Sequence, residues 1–218
     1  MFQFSAMPPL ALYVHLPWCV RKCPYCDFNS HGLKQGETLP SQVERAYVDA
    51  LLKDLELDLP RVWGRPVHSI FFGGGTPSLF SAQAMKQLMS GIRARVPLQV
   101  GAEVTLEANP GTVEAARFVG YRDAGVNRLS LGIQSFNDAQ LKNLGRIHDA
   151  QQAHAAIHAA KDAGFTRINL DLMYGLPNQS VSEASDDLEK ALAYETGHQS
   201  WYQLTLEPNT RFAAAPPV

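Results

Sequence analysis

Apolar residues fall along this chain in short blocks, and the blocks are separated by stretches with helical spacing. Leu10–Leu16 (LALYVHL), Val67–Phe72 (VHSIFF), Glu103–Ala108, Arg128–Gln134, Thr166–Met173 and Ser200–Leu206 each read as a β-strand. Most are rich in branched or aromatic residues and are bounded by Gly, Pro or polar clusters. Between them lie helices. Ser41-Gln-Val-Glu44 reads as a capping box, and Val43, Tyr47, Ala50, Leu51 and Leu55 follow at helical spacing. Ser81–Arg95 and Thr112–Ala124 are the next two helices, the latter ended by Gly125. Asp149-Ala-Gln-Gln152 opens an alanine-rich helix that stops at Gly164, and Ser180–Tyr194 supplies another. Gln35–Pro40 is a polar break.

Strands joined one to the next by helices predict an α/β fold with parallel strands and crossover helices. Val67–Phe72 and Ile168–Met173 read as apolar on both faces, as a sheet covered on both sides requires. An open Rossmann-type sheet and a partial barrel both fit this alternation. The polar motifs favour the barrel, because they fall at the C-terminal ends of successive strands, where a barrel collects its active site. An open sheet concentrates them at one switch point. Residues 1–218 read as a single core domain.

Nineteen basic and twenty-one acidic residues give a net charge of −2, with no basic run to attract nucleic acid. The first residues lack the basic start and long apolar core of a secretory signal. No stretch approaches the roughly 20 apolar residues of a membrane span. The expected compartment is a reducing cytoplasm.

The three cysteines of the chain stand in one window, Cys19-Val-Arg-Lys-Cys23-Pro-Tyr-Cys26. This Cys-x3-Cys-x2-Cys spacing suits a cubane iron–sulfur cluster held on three irons, with the fourth open to a small molecule; ferredoxin clusters take four cysteines. Two other readings stay open from spacing alone. A zinc ion takes three thiolates and a histidine, with His15 and His31 close in sequence, and buried inert thiols are the third reading. A disulfide framework does not suit an odd count in an otherwise cysteine-free chain. Gly73-Gly-Gly-Thr-Pro77 follows the second strand and lets backbone approach a ligand closely; a tight strand-to-helix turn is the plainer reading. It matches neither a Walker loop nor a dinucleotide fingerprint.

Tyr13-Val-His-Leu-Pro-Trp-Cys19, the cysteine window, Phe72–Pro77, Glu107-Ala-Asn-Pro110, Leu131–Phe136, Gly145-Arg-Ile-His148 and Asn169–Pro177 together resemble the radical S-adenosylmethionine superfamily. They are most similar to its branch of oxygen-independent coproporphyrinogen III oxidases and HemW-type heme chaperones. The resemblance runs from about Leu12 to Thr210. It implies a six-stranded partial (β/α)6 barrel with a 4Fe–4S cluster at its mouth. It implies S-adenosylmethionine on the open iron, cleaved on reduction to methionine and a 5′-deoxyadenosyl radical. It makes Cys19, Cys23 and Cys26 the cluster ligands. Tyr13, Gly74 and Glu107 would contact a first S-adenosylmethionine, and Tyr25, Gly75, Thr76, Gln134, Arg146 and Asp171 a second. Several have a structural reading as well. Tyr13 suits a strand face, Glu107 and Asp171 suit helix caps, Gln134 suits a loop, and Arg146 suits a helix end.

Phe28 stands where the oxidase has an additional cysteine, and only about ten residues precede the first strand. Both features resemble the chaperone more than the oxidase. The implied function is a heme chaperone whose partners are heme, acceptor hemoproteins and an electron donor. A tetrapyrrole-directed oxidase and a non-enzymatic zinc-binding barrel are the alternatives. The chain stops just after the sixth strand, so it reads as a piece of a longer protein, with the C-terminal domain and heme-binding motif beyond Val218 and no final helix over the last strand.

Overall fold

The computed structural model describes residues 6–34, 37–111 and 115–217. Its centre is a six-stranded, wholly parallel sheet. In chain order the elements are β1 (Leu10–Leu16), β2 (Trp18–Cys19), β3 (His31–Gly32), α1 (Ser41–Val62), β4 (Val67–Gly74), α2 (Ala82–Arg95), β5 (Leu98–Ala108), α3 (Phe118–Ala124), β6 (Arg128–Gln134), α4 (Asp138–Asn143), α5 (Ala150–Asp162), β7 (Ile168–Tyr174), α6 (Val181–Leu192), β8 (Gly197–Gln203) and α7 (Arg211–Ala214). The sheet runs β1-β4-β5-β6-β7-β8, and β2 pairs with β3 in a separate ribbon. Each strand of the large sheet joins the one before it, with no reversal of direction across the sheet. A dinucleotide fold needs such a reversal; a (β/α) barrel winds in one sense.

The core lies between the sheet and its helices. Ile70, Phe72, Leu106, Leu129, Leu131, Leu170 and Leu172 point outward from the strands and are fully buried. Met85, Leu88, Met89 and Ile92 of α2 and Ala153, Ala156, Ile157 and Ala160 of α5 face the core. Each buried large side chain contributes about 1.5–3 kcal/mol relative to exposure.

The opposite face of the strands is polar, which corrects the expectation of sheets apolar on both sides. Asn169 Nδ2 donates to Asp171 Oδ1 at 2.8 Å, lies 2.8 Å from Ser130 Oγ and 3.0 Å from Ser200 Oγ, and Ser130 Oγ donates to Asp171 Oδ2 at 2.9 Å. Alternation places Glu103, Thr105, Arg128 and His198 on this inner face too, linked by further polar contacts. An unpaired buried polar group costs too much to keep, so these side chains satisfy one another across strands.

Several element boundaries differ from expectation: β5 begins at Leu98 rather than Glu103, β4 runs on to Gly74 rather than ending at Phe72, and β8 ends at Gln203 rather than Leu206. The N-cap of α1 is Pro40, whose side chain makes no cap, and Ser41 and Glu44 form no capping box. Glu44 is buried instead and accepts from Ser81 N at 2.6 Å and Ser81 Oγ at 2.9 Å. The sixth strand begins at Gly197 rather than Ser200, because its pairing to β7 runs from Ile168↔Gly197 to Tyr174↔Gln203. That register carries His198 and Ser200 to the polar inner face. The helix expected from Thr112 runs over Phe118–Ala124, while residues 112–114, and the start of the polar break at 35–36, lie outside the described residues. The capping boxes at Asp149/Gln152 and Ser180/Glu183 form, and Gly125 closes α3 with φ 107°. Helices α4 and α7 were not read in the sequence. Among the described residues no helix is long and apolar enough to cross a membrane.

Candidate functional site

The cysteine window is a loop between β2 and β3, pinned at both ends by backbone. His31 N donates to Pro17 O at 2.7 Å and Leu33 N to Cys19 O at 2.8 Å. The turn after β4 holds its base: Gly75 N donates to Leu16 O at 2.9 Å and Thr76 N to Trp18 O at 2.7 Å. A Cβ at Gly75 would lie 2.6 Å from Trp18 O, and one at Gly74, where φ is 117°, would lie 2.6 Å from the His15 ring. The glycines are therefore required by the close approach of this turn to the segment entering the loop. Trp18 anchors the loop from below, edge-on to Tyr47 at 4.7 Å between ring centroids and tilted against Phe80. Helix α7 leans on the loop, with Phe212 N donating to Pro24 O at 3.0 Å and the Phe212 and Tyr25 rings 6.2 Å apart.

Above the C-terminal ends of the strands lies a cavity of about 450 Å³. Cys19, Cys23 and Cys26 line it together with Tyr25, Gly75, Thr76, Glu107, Gln134, Arg146 and Asp171. The family resemblance assigns all of these to one site, and the fold brings them together around one cavity. Tyr13 and Gly74 do not line the cavity but border it. The Gly74 N–H donates to the Glu107 carboxylate, and the Tyr13 ring and Glu107 Oε2 converge over Gly73, at 3.0 and 3.2 Å from where its Cβ would be.

The electrostatics of the cavity are unusual in two places. Burial and the neighbouring Asp171 push the Glu107 carboxyl up to about 7, against the opposing Gly74 hydrogen bond. Burial also raises Asp171, while Ser130, Ser200 and Asn169 counter it by donating hydrogen bonds. On the other wall, Arg146 Nη1 approaches Cys23 Sγ at 3.5 Å and its Nη2 donates to Gly132 O at 3.0 Å and to Asn109 Oδ1. Gln134 has φ 66°, strained for a residue with a side chain, and its Oε1 accepts from Tyr202 OH at 2.8 Å. Burial raises the Cys26 thiol, with the other two cysteines adding to the effect.

Asn109, Ser130, Asn169 and Tyr202 take part in this site and were not singled out from sequence. Asn109 bridges Thr76 Oγ1 and Arg146, and its only signal was its place in Glu107-Ala-Asn-Pro110. His15 does not serve as a fourth ligand for zinc. Its Nδ1 is 3.0 Å from Tyr13 OH and its Nε2 is 2.8 Å from Asn29 O, so both nitrogens are occupied. His31 is exposed on the β3 ribbon. Among the described residues no three His, Cys, Asp or Glu side chains are gathered tightly enough to hold one metal ion. Zinc draws its ligands to one point, whereas a cubane gives each thiolate a separate iron. Three thiols and two partly buried carboxyl groups lining one cavity suit the cubane and a cationic ligand beside it.

The radical SAM superfamily profile matches residues 13–191. The heme chaperone HemW of Escherichia coli (strain K12) is 57% identical over 212 residues, which cover 97% of this chain and 55% of that protein. The mitochondrial radical S-adenosyl methionine domain-containing protein 1 of Mus musculus is 41% identical over 211 residues, covering 96% and 46%. The crystallised coproporphyrinogen III oxidase (HemN) from Escherichia coli, a radical SAM enzyme, superimposes with a TM-score of 0.81 at 31% identity, over 94% of this chain and 46% of that one. The chain spans about half the length of the curated relatives it matches. The sequential parallel sheet, the three-cysteine loop at its C-terminal end and the match over residues 13–191 agree: the chain belongs to the radical SAM superfamily.

Proposed function

We propose that this chain is the core of a HemW-type heme chaperone, working in the cytoplasm. Residues 1–218 form its radical SAM domain. Cys19, Cys23 and Cys26 hold a 4Fe–4S cluster. Glu107, the Gly74 backbone and Tyr13 hold one S-adenosylmethionine, and Tyr25, Gly75, Thr76, Gln134 and Asp171 border the place of a second. Arg146 borders the same place but commits its terminal nitrogens to Asn109, Gly132 and Cys23. When bound, the cluster supplies one electron for reductive cleavage of the sulfonium. The longer protein would bind heme and deliver it to acceptor hemoproteins, drawing electrons from a separate donor.

The observation that carries this reading is the sharing of one cavity by three thiols and two partly buried carboxyl groups. Glu107 is disfavoured as an anion because its burial and the charge of Asp171 outweigh the hydrogen bond from Gly74. A ligand carrying an ammonium and a sulfonium relieves that cost, because an opposite charge nearby favours the ionised form. The fold likeness to HemN favours decarboxylation of coproporphyrinogen as a second reading. Phe28, which lines the cavity where the oxidase has a thiol, argues against it.

Anaerobic reconstitution tests the proposal. The protein should take up about four irons and four sulfides per chain, as a cubane requires. Cys23→Ala should abolish uptake. S-adenosylmethionine should alter the electron paramagnetic resonance spectrum of the reduced cluster, and Glu107→Ala should weaken its binding by about 1–3 kcal/mol, the range for a charge-assisted hydrogen bond. Stoichiometric zinc with no iron uptake would overturn the reading.

A further inference from the structure

Arg146 sits in the wall between two cavities, lining both the thiol-bearing cavity and a second of about 530 Å³ behind the cysteine loop. A guanidinium cannot shed its proton, so its charge is fixed wherever it is buried. Its bonds go to the amide oxygen of Asn109, the carbonyl of Gly132, the Tyr25 hydroxyl and Cys23 Sγ, 3.5 Å away. Its Nε is buried without a partner. Among the described residues no carboxylate forms an ion pair with it. The amide and carbonyl are dipoles, and burial holds the Tyr25 phenol in its protonated form; the sulfur is the bonded group that becomes an anion on binding iron, because a cysteine that ligates iron does so as thiolate.

We propose that Arg146 is a positioning residue for the cluster. It acts through Cys23 Sγ as the fixed counter-charge that raises the reduction potential of the bound 4Fe–4S group. This rests on the cluster reading above and goes beyond it, since the family resemblance gave Arg146 to S-adenosylmethionine. Reduction places one electron from a low-potential donor on the iron–sulfur unit and moves no proton at Arg146. A cation beside one ligand stabilises the more negative, reduced form more than the oxidised form. Net charge and hydrogen bonds to sulfur are among the levers that set cluster potentials. Asn109 is the second part of the device. It holds Nη2 from one side and bridges to Thr76 Oγ1 at 3.0 Å, which fixes the guanidinium against the loop.

The test is a mediated dithionite titration, without S-adenosylmethionine, of reconstituted wild type, Arg146→Gln, Arg146→Lys and Asn109→Asp. Arg146→Gln keeps a polar side chain with an N–H donor but is shorter and removes the charge. At the potential where wild type is half reduced, its ratio of reduced to oxidised cluster should fall at least tenfold, about 59 mV for one electron. Arg146→Lys should recover most of that shift. Asn109→Asp, nearly isosteric, should shift the potential the same way by pairing with the guanidinium where it stands. Equal midpoints in all four loaded proteins overturn the inference, as does a shift in Arg146→Gln that Lys does not reverse. If Arg146→Gln takes up no iron, Asn109→Asp decides: a lowered midpoint supports the counter-charge, and a wild-type midpoint overturns it. If neither Arg146→Gln nor Asn109→Asp loads, loading of Arg146→Lys supports a requirement for charge, and its failure overturns it. Absence of iron in the wild type itself counts against the cluster reading; unchanged midpoints in loaded variants count against this inference alone.

Discussion

At the scale of single residues, the cavity trades stability for binding. Glu107 is the clearest case. Its carboxyl is ordinarily half ionised near pH 4.5, and in the fold it is pushed up to about 7. Between those values the folded chain holds a proton that the unfolded chain has lost. Stability therefore falls as pH rises from about 4.5 to about 7 and is level above that. The shift corresponds to at most roughly 3 kcal/mol. Glu107→Gln removes the ionisation, so the iron-free variant should be more stable than wild type at pH 8 by up to that amount and no more stable at pH 4.5. Urea unfolding at the two pH values measures this. An equal difference at both would show that the gain does not come from the carboxylate. The same variant should lose affinity for S-adenosylmethionine, the mark of a group kept for its ligand. Glu107 and Asp171 were assigned through the family resemblance, since strand-end acids taken alone fit helix caps as well. Asn109 and Asn169 were not, because their roles lie in hydrogen bonds to residues on other strands and loops, which no local pattern records.

At the scale of elements, most strands and helices were visible as blocks of period two or 3.6, and the misread ones show what local pattern lacks. Ser41-x-x-Glu44 has the composition of a capping box, yet Glu44 reaches across 37 positions to Ser81. Ser81 is itself the N-cap of α2, its Oγ accepting from Ala84 N at 3.1 Å. The Glu44 carboxylate thus ties α1 to the start of α2 and complements that end of the helix dipole. Two substitutions separate the readings. Ser41→Ala should change stability by no more than about 0.5 kcal/mol, as at an ordinary surface position. Glu44→Ala should cost about 1.5–3 kcal/mol, the range for hydrogen bonds to a charged group. Comparable losses from both, measured by denaturant unfolding, would restore the local capping box. Helix α4 and the single turn of α7 escaped notice for a related reason. Neither is long enough to show a period, and α7 is fixed by its bond to the cysteine loop rather than by its own sequence.

At the scale of the molecule, the order of strands and the place of the site followed from the sequence, since polar motifs after successive strands imply a one-sense parallel barrel. What the alternation did not reveal was the polar inner face, because it is built by pairing between strands rather than along them. That interior opens to the cavity through Asp171 and Ser130, and Phe28 stands at the cavity wall with 58% of its surface exposed. An apolar ring there can neither transfer a proton nor quench a substrate radical, and it offers a flat surface where the oxidase offers a thiol. A protein of the relatives' full length carrying these residues should therefore not convert coproporphyrinogen III to protoporphyrinogen IX, even with S-adenosylmethionine and reductant. It should instead bind about one heme per chain and yield it to an apo-hemoprotein, each step followed at the Soret band. Phe28→Cys alone should leave it inactive toward coproporphyrinogen, because the ring is one of several groups shaping the wall and a new thiol does not rebuild the rest. Multiple-turnover decarboxylation by the unaltered full-length protein would refute the chaperone reading. Activity appearing only in Phe28→Cys would instead place the whole difference between chaperone and oxidase on one side chain.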